Sequence, residues 1–121
     1  MDKVDPLAKL ASFQETWTPK IIAELNGQQV KVAHMEGPYI WHSHAEEDEL
    51  FYLLSGRLDM ELRDRTVELS PGELLVVPRG VEHRPVAHGP VQCLMFEPAT
   101  TRNTGGLESD RTIEPGDLER I

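Results

Sequence analysis

The sequence predicts an all-β fold of the sandwich or barrel type. Candidate strands recur at spacings of about 8–12 residues with turn residues between them, which is typical of such folds. Asn26-Gly27 stands between two apolar runs, and this dipeptide favours a β-hairpin because both residues tolerate a positive φ. Residues 57–63 alternate between charged and apolar side chains, which is the pattern of a strand with one face in the core and one in solvent.

A short helix is predicted before the first strand. Asp5 suits the N-cap position and Pro6 suits the first helical position. Leu7 and Leu10 follow at helical spacing. We therefore predict a helix over residues 6–14 that docks on the body through these apolar side chains.

Nine stretches are then predicted as strands, bounded by turn residues such as Asn-Gly, Ser-Gly and Pro-x-Gly. They cover residues 21–25, 28–35, 39–44, 49–54, 57–63, 66–69, 74–77, 81–86 and 91–96. After Pro98 the apolar periodicity fades, so residues 99–121 are predicted as a polar, acidic tail. The whole chain, residues 1–121, is expected to form a single domain with a barrel core over residues 20–98.

Composition and charge narrow the class of protein. The chain has 121 residues, of which 39% are hydrophobic and 27% charged, as in a globular domain. A single cysteine, Cys93, excludes an intrachain disulfide and a cysteine-based zinc cluster. The net charge of −9 disfavours nucleic acid and anionic membrane surfaces as partners. Because no apolar run reaches about 20 residues and the N-terminus does not resemble a signal peptide, we expect a cytoplasmic protein.

A group of histidine and acidic residues forms a candidate metal-binding site. His42 and His44 are two positions apart, so on a strand they share a face and can converge on one ion. Glu49 shares its parity with Phe51, which predicts an inward-facing carboxylate that needs a cation as partner. His83 follows a late turn. Three neutral imidazoles and one carboxylate suit a divalent metal and leave positions open for water or substrate.

These residues belong to two longer motifs. Residues 41–56 read WHSHAEEDELFYLLSG, and residues 72–83 read GELLVVPRGVEH. The first resembles the first motif of the cupin superfamily, and the second is similar to the second cupin motif. The matching positions are Gly37, His42, His44, Glu49, Gly56, Gly72, Pro78, Gly80 and His83. The sequence departs from the cupin motifs at two points. Four residues rather than five separate Gly37 from His42, and Ala87 stands where the second motif usually has Asn.

The resemblance implies a fold and a metal site. The fold would be a double-stranded β-helix, which is a jelly-roll barrel. One divalent metal ion (Fe, Mn, Zn or Ni) would be held by His42, His44, Glu49 and His83. More closely, the chain resembles the short single-domain bacterial cupins that are often called phosphomannose-isomerase-like.

A metal of this kind can act as a Lewis acid, lower the pKa of a water or bind O₂. The sequence therefore predicts a small metalloenzyme acting on a small polar substrate, with sugar-type isomerase or dioxygenase chemistry and Glu49 as general base. The alternative is a non-catalytic module that binds or senses a small ligand, and a third hypothesis is a metal-stabilised structural domain. We also expect a homodimer through the edge strand near Trp17 and Ile21.

The roles of three further side chains remain open at this point. His34 belongs to no motif, but it shares strand parity with Val30 and Val32, which would place it on the barrel lining. Arg79 and Arg84 flank the turn before His83. Either could bind an anionic group, and surface salt bridges are the favoured interpretation.

Overall fold

A computed structural model describes all of residues 1–121. Seven β-strands form the fold, with one α-helix before them and a 3-10 helix near the C-terminus. The elements are α1 (Pro6–Leu10), β1 (Lys20–Leu25), β2 (Gln28–Pro38), β3 (Glu49–Ser55), β4 (Leu58–Leu62), β5 (Thr66–Leu69), β6 (Leu74–Val77), β7 (His83–Pro98) and the 3-10 helix Pro115–Asp117. None of the helices has the length and apolar character that a membrane span requires.

The long strand β7 joins two layers of an antiparallel sheet. Its second half lies between β2 and β3, in a layer ordered β1-β2-β7-β3-β6. Its first half pairs with β4, which in turn pairs with β5. The two layers enclose one apolar core, so the predicted all-β jelly-roll class is confirmed, as is the short N-terminal helix.

One bent strand replaces two predicted ones at the end of the barrel. Residues 81–86 and 91–96 were expected as separate strands, but β7 runs through both. Gly89 has a φ of +76°, and the pairing of β7 with β2 shifts register between Met35 and Gly37. The turn residues therefore bend a continuous strand rather than ending it.

Helix α1 is capped as predicted but is shorter than predicted. Asp5 Oδ1 accepts hydrogen bonds from the backbone N–H groups of Leu7 and Ala8, at 3.0 and 3.2 Å. The helix ends at Leu10 rather than at residue 14, and the hydroxyl of Ser12 already donates to a carbonyl of its last turn at 2.6 Å. Leu10 is buried and Leu7 is exposed, so a single leucine docks the helix.

Strand β2 is buried on both faces. Its inward face contributes Ala33 and Met35 to the main core, while Val32 packs with Leu10 in a second apolar cluster outside the barrel. His34 lies on that outer face, where its Nε2 is 2.8 Å from the carbonyl oxygen of Leu10. The expectation that His34 lines the barrel is therefore wrong, because apolar residues on both faces of a strand do not show which face is inside.

Parts of the predicted polar tail are built into the body. Thr101 and Thr104 are fully buried. The N–H of Ile21 donates to the carbonyl of Glu119 at 2.9 Å, and the N–H of Ile121 donates to the carbonyl of Ile21 at 3.0 Å. The chain's own C-terminus thus covers the outer edge of β1 at this point.

Candidate metal centre

His42 and His44 come from a segment that keeps the burial pattern of a strand without being one. Residues 39–44 were predicted as a strand, but only His42 forms a β-bridge, in which it exchanges backbone hydrogen bonds of 3.1 and 2.9 Å with His83. The N–H of Gly80 donates to the carbonyl of His44 at 2.7 Å. Both histidine side chains are buried while Ser43 between them is partly exposed, so the predicted alternation is present.

The structure brings all four predicted site residues together. Glu49 is the first residue of β3 and His83 the first residue of β7. One ligand atom from each of the four residues lies within 4.8 Å of the other three, and all four side chains are buried. A cluster of His42, His44, Glu49 and His83 could therefore hold a metal ion.

Backbone carbonyls fix the orientation of two of the imidazoles. The Nδ1 atoms of His42 and His83 are each 2.9 Å from a carbonyl oxygen, of Ile40 and Val81 respectively. A carbonyl oxygen can only accept a hydrogen bond, so the Nδ1 atom that faces it must carry the proton. In each neutral ring Nε2 then has a free lone pair. Nε2 of His83 lies 3.1 Å from Glu49 Oε1, inside the cluster. This is how metal-binding histidines are commonly held by their surroundings.

His44 supplies the strongest sign that these residues fit a cation. Its Nε2 is 2.8 Å from Glu49 Oε1, yet neither of its ring nitrogens has a partner in hydrogen-bonding geometry. A buried polar atom without a partner costs about 1–3 kcal/mol. Ligand atoms about 2.0–2.2 Å from a divalent ion lie roughly 3–4 Å apart, which is close to the spacing of this cluster.

The charge states of the cluster also suit a metal. Burial, reinforced by the neighbouring His83, lowers the pKa of His42 to about 4, so that its imidazole is neutral at pH 7. Burial alone would raise the pKa of Glu49, but contacts with Glu97, His44 and His83 hold that pKa well below its usual range. A neutral imidazole and an ionised carboxylate are the forms that bind a metal.

A buried ion pair beside Glu49 was missed by the sequence reasoning. Lys31 Nζ lies 2.7 Å from Glu97 Oε1, and these side chains are 1% and 5% exposed. The carboxyl of Glu97 lies next to that of Glu49, and burial together with the charge of Glu49 raises the pKa of Glu97 well above its usual range. Lys31 is two positions from Ala33 and shares its face of β2. The sequence would therefore have predicted an inward-facing Lys31 if the inward face of this strand had been identified.

A cavity leads from the cluster to solvent. Its empty volume is about 420 Å³, including the part that is open to solvent. Trp17 and Tyr39 stack in its wall with ring centroids 4.6 Å apart. The other polar groups that line it are His42, Glu49, Glu97 and Asn103.

The remaining charged candidates lie away from this cavity. Arg79 is paired with Asp48 at 3.3 Å, and Arg84 with Glu61 at 2.7 Å, so the interpretation as surface salt bridges is confirmed for both arginines. His88, which belongs to no motif, sits beside an aspartate on the exposed surface.

Comparison with known proteins agrees with this arrangement. The cupin domain family matches residues 28–97. The uncharacterized protein YdbB of Bacillus subtilis is 35% identical over 86 residues, which cover 69% of this chain and 76% of that protein. The crystal structure of a cupin-2 domain protein from Shewanella frigidimarina has 38% identity and a TM-score of 0.77, covering 78% of this chain and 93% of that one. A Neisseria meningitidis protein has 28% identity and a TM-score of 0.74, covering 80% and 99% of the two chains. The chain therefore belongs to the cupin superfamily.

Proposed function

We propose that this cupin is a metal-dependent enzyme that acts on a small polar molecule, with sugar-type isomerase or dioxygenase chemistry. The observation that carries the proposal is a cluster of four buried candidate ligands, two of which, His42 and Glu49, line a cavity that opens to solvent. A site with an open path to solvent is typical of catalytic metals, whereas purely structural metal sites are closed.

His42, His44, Glu49 and His83 would hold the ion, which when bound would supply Lewis-acid or redox chemistry. The low pKa of Glu49 keeps its carboxylate ionised, which favours the role of metal ligand. We retain Glu49 as a candidate general base. Glu97 lines the same cavity, and burial beside Glu49 raises its pKa, which makes it a second candidate for proton transfer.

The stacked rings of Trp17 and Tyr39 bear on the substrate. They form an apolar wall above a polar base, which suits a molecule with hydroxyl or carbonyl groups on one side and C–H groups on the other.

Elemental analysis of protein purified without added metal tests the proposal. We expect about one divalent ion per chain, lost in His83→Ala. His88→Ala is the matched control, since His88 is an exposed histidine outside the cluster. Equal metal content in both variants would contradict the proposal.

Turnover then separates the reaction classes. Substrate-dependent O₂ uptake on phenolic or thiol compounds would identify a dioxygenase, and conversion of sugar derivatives without O₂ uptake would identify an isomerase. The non-catalytic alternative rests on the same cavity. It predicts metal-dependent ligand binding, seen as a rise in the thermal midpoint, without any turnover.

Several narrower predictions stay open. The phosphomannose-isomerase-like subtype would require activity on sugar phosphates. The homodimer would give about twice the 13.7 kDa chain mass in light scattering, although C-terminal residues cover part of the β1 edge on which that prediction rests. The cytoplasmic location and the absence of nucleic-acid partners rest on sequence alone. Fractionation and a nucleic-acid binding assay at low salt would test them.

A further inference from the structure

We propose that the C-terminal segment of residues 99–113 is part of the metal centre, with Gly105 as a positioning residue for His42 and His44. The segment lies outside the part of the chain that matches the cupin domain, residues 28–97. This inference rests on the metal site of the proposed function, and its test separates the failure of the one from the failure of the other.

The contact that carries the inference is between Gly105 and the backbone of Ser43, the residue between the two histidines. A Cβ atom on Gly105 would overlap the carbonyl oxygen of Ser43 and lie 2.8 Å from its carbonyl carbon. Gly105 also has a φ of +61°, which favours glycine. The N–H of the next residue, Gly106, donates to the same Ser43 carbonyl at 3.2 Å. Only a glycine lets the segment approach this closely.

The segment that makes this contact is itself held firmly. The side chain of Asn103 donates to the carbonyl of Arg111 at 2.8 Å and accepts from the N–H of Ile113 at 2.9 Å. The hydroxyl of the fully buried Thr104 lies 2.7 Å from the hydroxyl of Thr112. These bonds close a compact loop, so Gly105 meets Ser43 as part of a fixed surface.

The same segment touches the histidine-bearing stretch on both sides of Ser43. Before it, the hydroxyl of Tyr39 donates to the carbonyl of Asn103 at 3.3 Å. After it, the hydroxyl of Thr100 donates to Glu47 at 3.2 Å. The histidine-bearing stretch has only the single bridge at His42 and no strand ladder along it. Backbone hydrogen bonds with Pro85 and Gly80 hold the stretch at Tyr39 and His44, and the C-terminal segment adds support at Ser43, between the two histidines.

Three glycine variants test the role of Gly105. Gly105→Ala introduces the clash with Ser43, whereas Gly106→Ala places its Cβ in open space and is the matched control. Gly89→Ala has open space but a φ of +76°, so it reports the cost of backbone strain alone. The readouts are the Zn²⁺ dissociation constant from chelator competition, the visible spectrum of the Co²⁺ form and the thermal midpoint of the metal-free protein.

We expect Gly105→Ala to weaken Zn²⁺ binding by about 10–100-fold, the loss seen when groups that orient metal ligands are removed, and to change the Co²⁺ spectrum. Gly106→Ala and Gly89→Ala should keep wild-type affinity and spectrum. The proposal is overturned if Gly105→Ala binds Zn²⁺ as wild type does and only its thermal midpoint falls, as in Gly89→Ala. A wild-type protein that binds no ion would instead refute the metal site itself.

A measurement on the unaltered protein covers the case in which Gly105→Ala does not fold. Coupling between two sites is reciprocal, so a segment that favours metal binding must itself be stabilised by the metal. We expect Zn²⁺ to slow hydrogen exchange at the amide of Gly106, relative to that of an exposed turn such as Gly89. Equal exchange of the Gly106 amide with and without bound Zn²⁺ would also overturn the proposal.

Discussion

Replacing Lys31 with methionine removes the only lysine or arginine paired with the carboxyl of Glu97 and leaves two carboxyl groups facing each other in the core. Lys31 Nζ and Glu97 Oε1 are 2.7 Å apart, and both side chains are almost completely buried. Breaking a buried pair by removing one partner costs about 3–5 kcal/mol. Once Lys31 is removed, Glu97 can neutralise its buried charge by taking up a proton, which places the expected loss at the lower end, about 3 kcal/mol. For a domain of this size the thermal midpoint should fall by about 10 °C.

Urea unfolding of the metal-free protein at pH 7 measures this loss. Arg57→Met is the control. The guanidinium of Arg57 lies 2.8 Å from Glu68 Oε1, a distance similar to that of the Lys31–Glu97 pair, but the side chains of Arg57 and Glu68 are both more than half exposed. That control should cost no more than about 1 kcal/mol. The double variant Lys31→Met/Glu97→Leu should recover most of the stability, because apolar residues then replace both charges. A loss in Lys31→Met no larger than that in Arg57→Met would refute the reasoning.

Three further predictions concern the core and the metal. Burial raises the pKa of the Cys93 thiol to about 12, so a thiol reagent at pH 8 should react only after unfolding, and fast labelling of the folded protein would contradict this. Because the pKa of this thiol is raised on folding, its contribution to stability is present below about pH 9 and is lost as the pH rises towards 12. Met60→Ala, at a fully buried site, should lower the free energy of unfolding by about 2–5 kcal/mol in urea unfolding. Leu74→Ala, at an exposed site, should change it by less than about 0.5 kcal/mol, and equal losses would argue against the core described here. Chelator should lower the thermal midpoint, since an ion at about 1,000 times its dissociation constant adds about 4 kcal/mol, and an unchanged midpoint would indicate that no ion binds.

The fold class and the candidate cluster could be predicted from the sequence because both are indicated by local patterns of residues. Strand alternation around Glu49 indicates which side chains share a face of the strand, and so does the spacing of His42 and His44. Neither indication depends on the tertiary structure. The segment of residues 39–44 shows the limit of such a pattern: its alternation is present, but only His42 forms a bridge, because strand pairing depends on a distant partner.

The features that were missed depend on contacts between distant parts of the chain. Both faces of β2 are apolar in part, so parity could not tell that Lys31 rather than His34 lies on the inward face of the strand. Thr104 belongs to no apolar periodicity, and its burial follows only from the closed loop in which the next residue, Gly105, meets Ser43. Small polar residues that are buried through hydrogen bonds leave no hydrophobic signal in a sequence.

Anomalous X-ray diffraction from crystals grown with Zn²⁺, collected above and below the zinc edge, tests the central claim most directly. One strong peak per chain is expected, within about 2.0–2.3 Å of the Nε2 atoms of His42, His44 and His83 and of a carboxylate oxygen of Glu49. An empty cluster in crystals that bind zinc elsewhere, or a peak that contacts only one of the four side chains, would contradict the account.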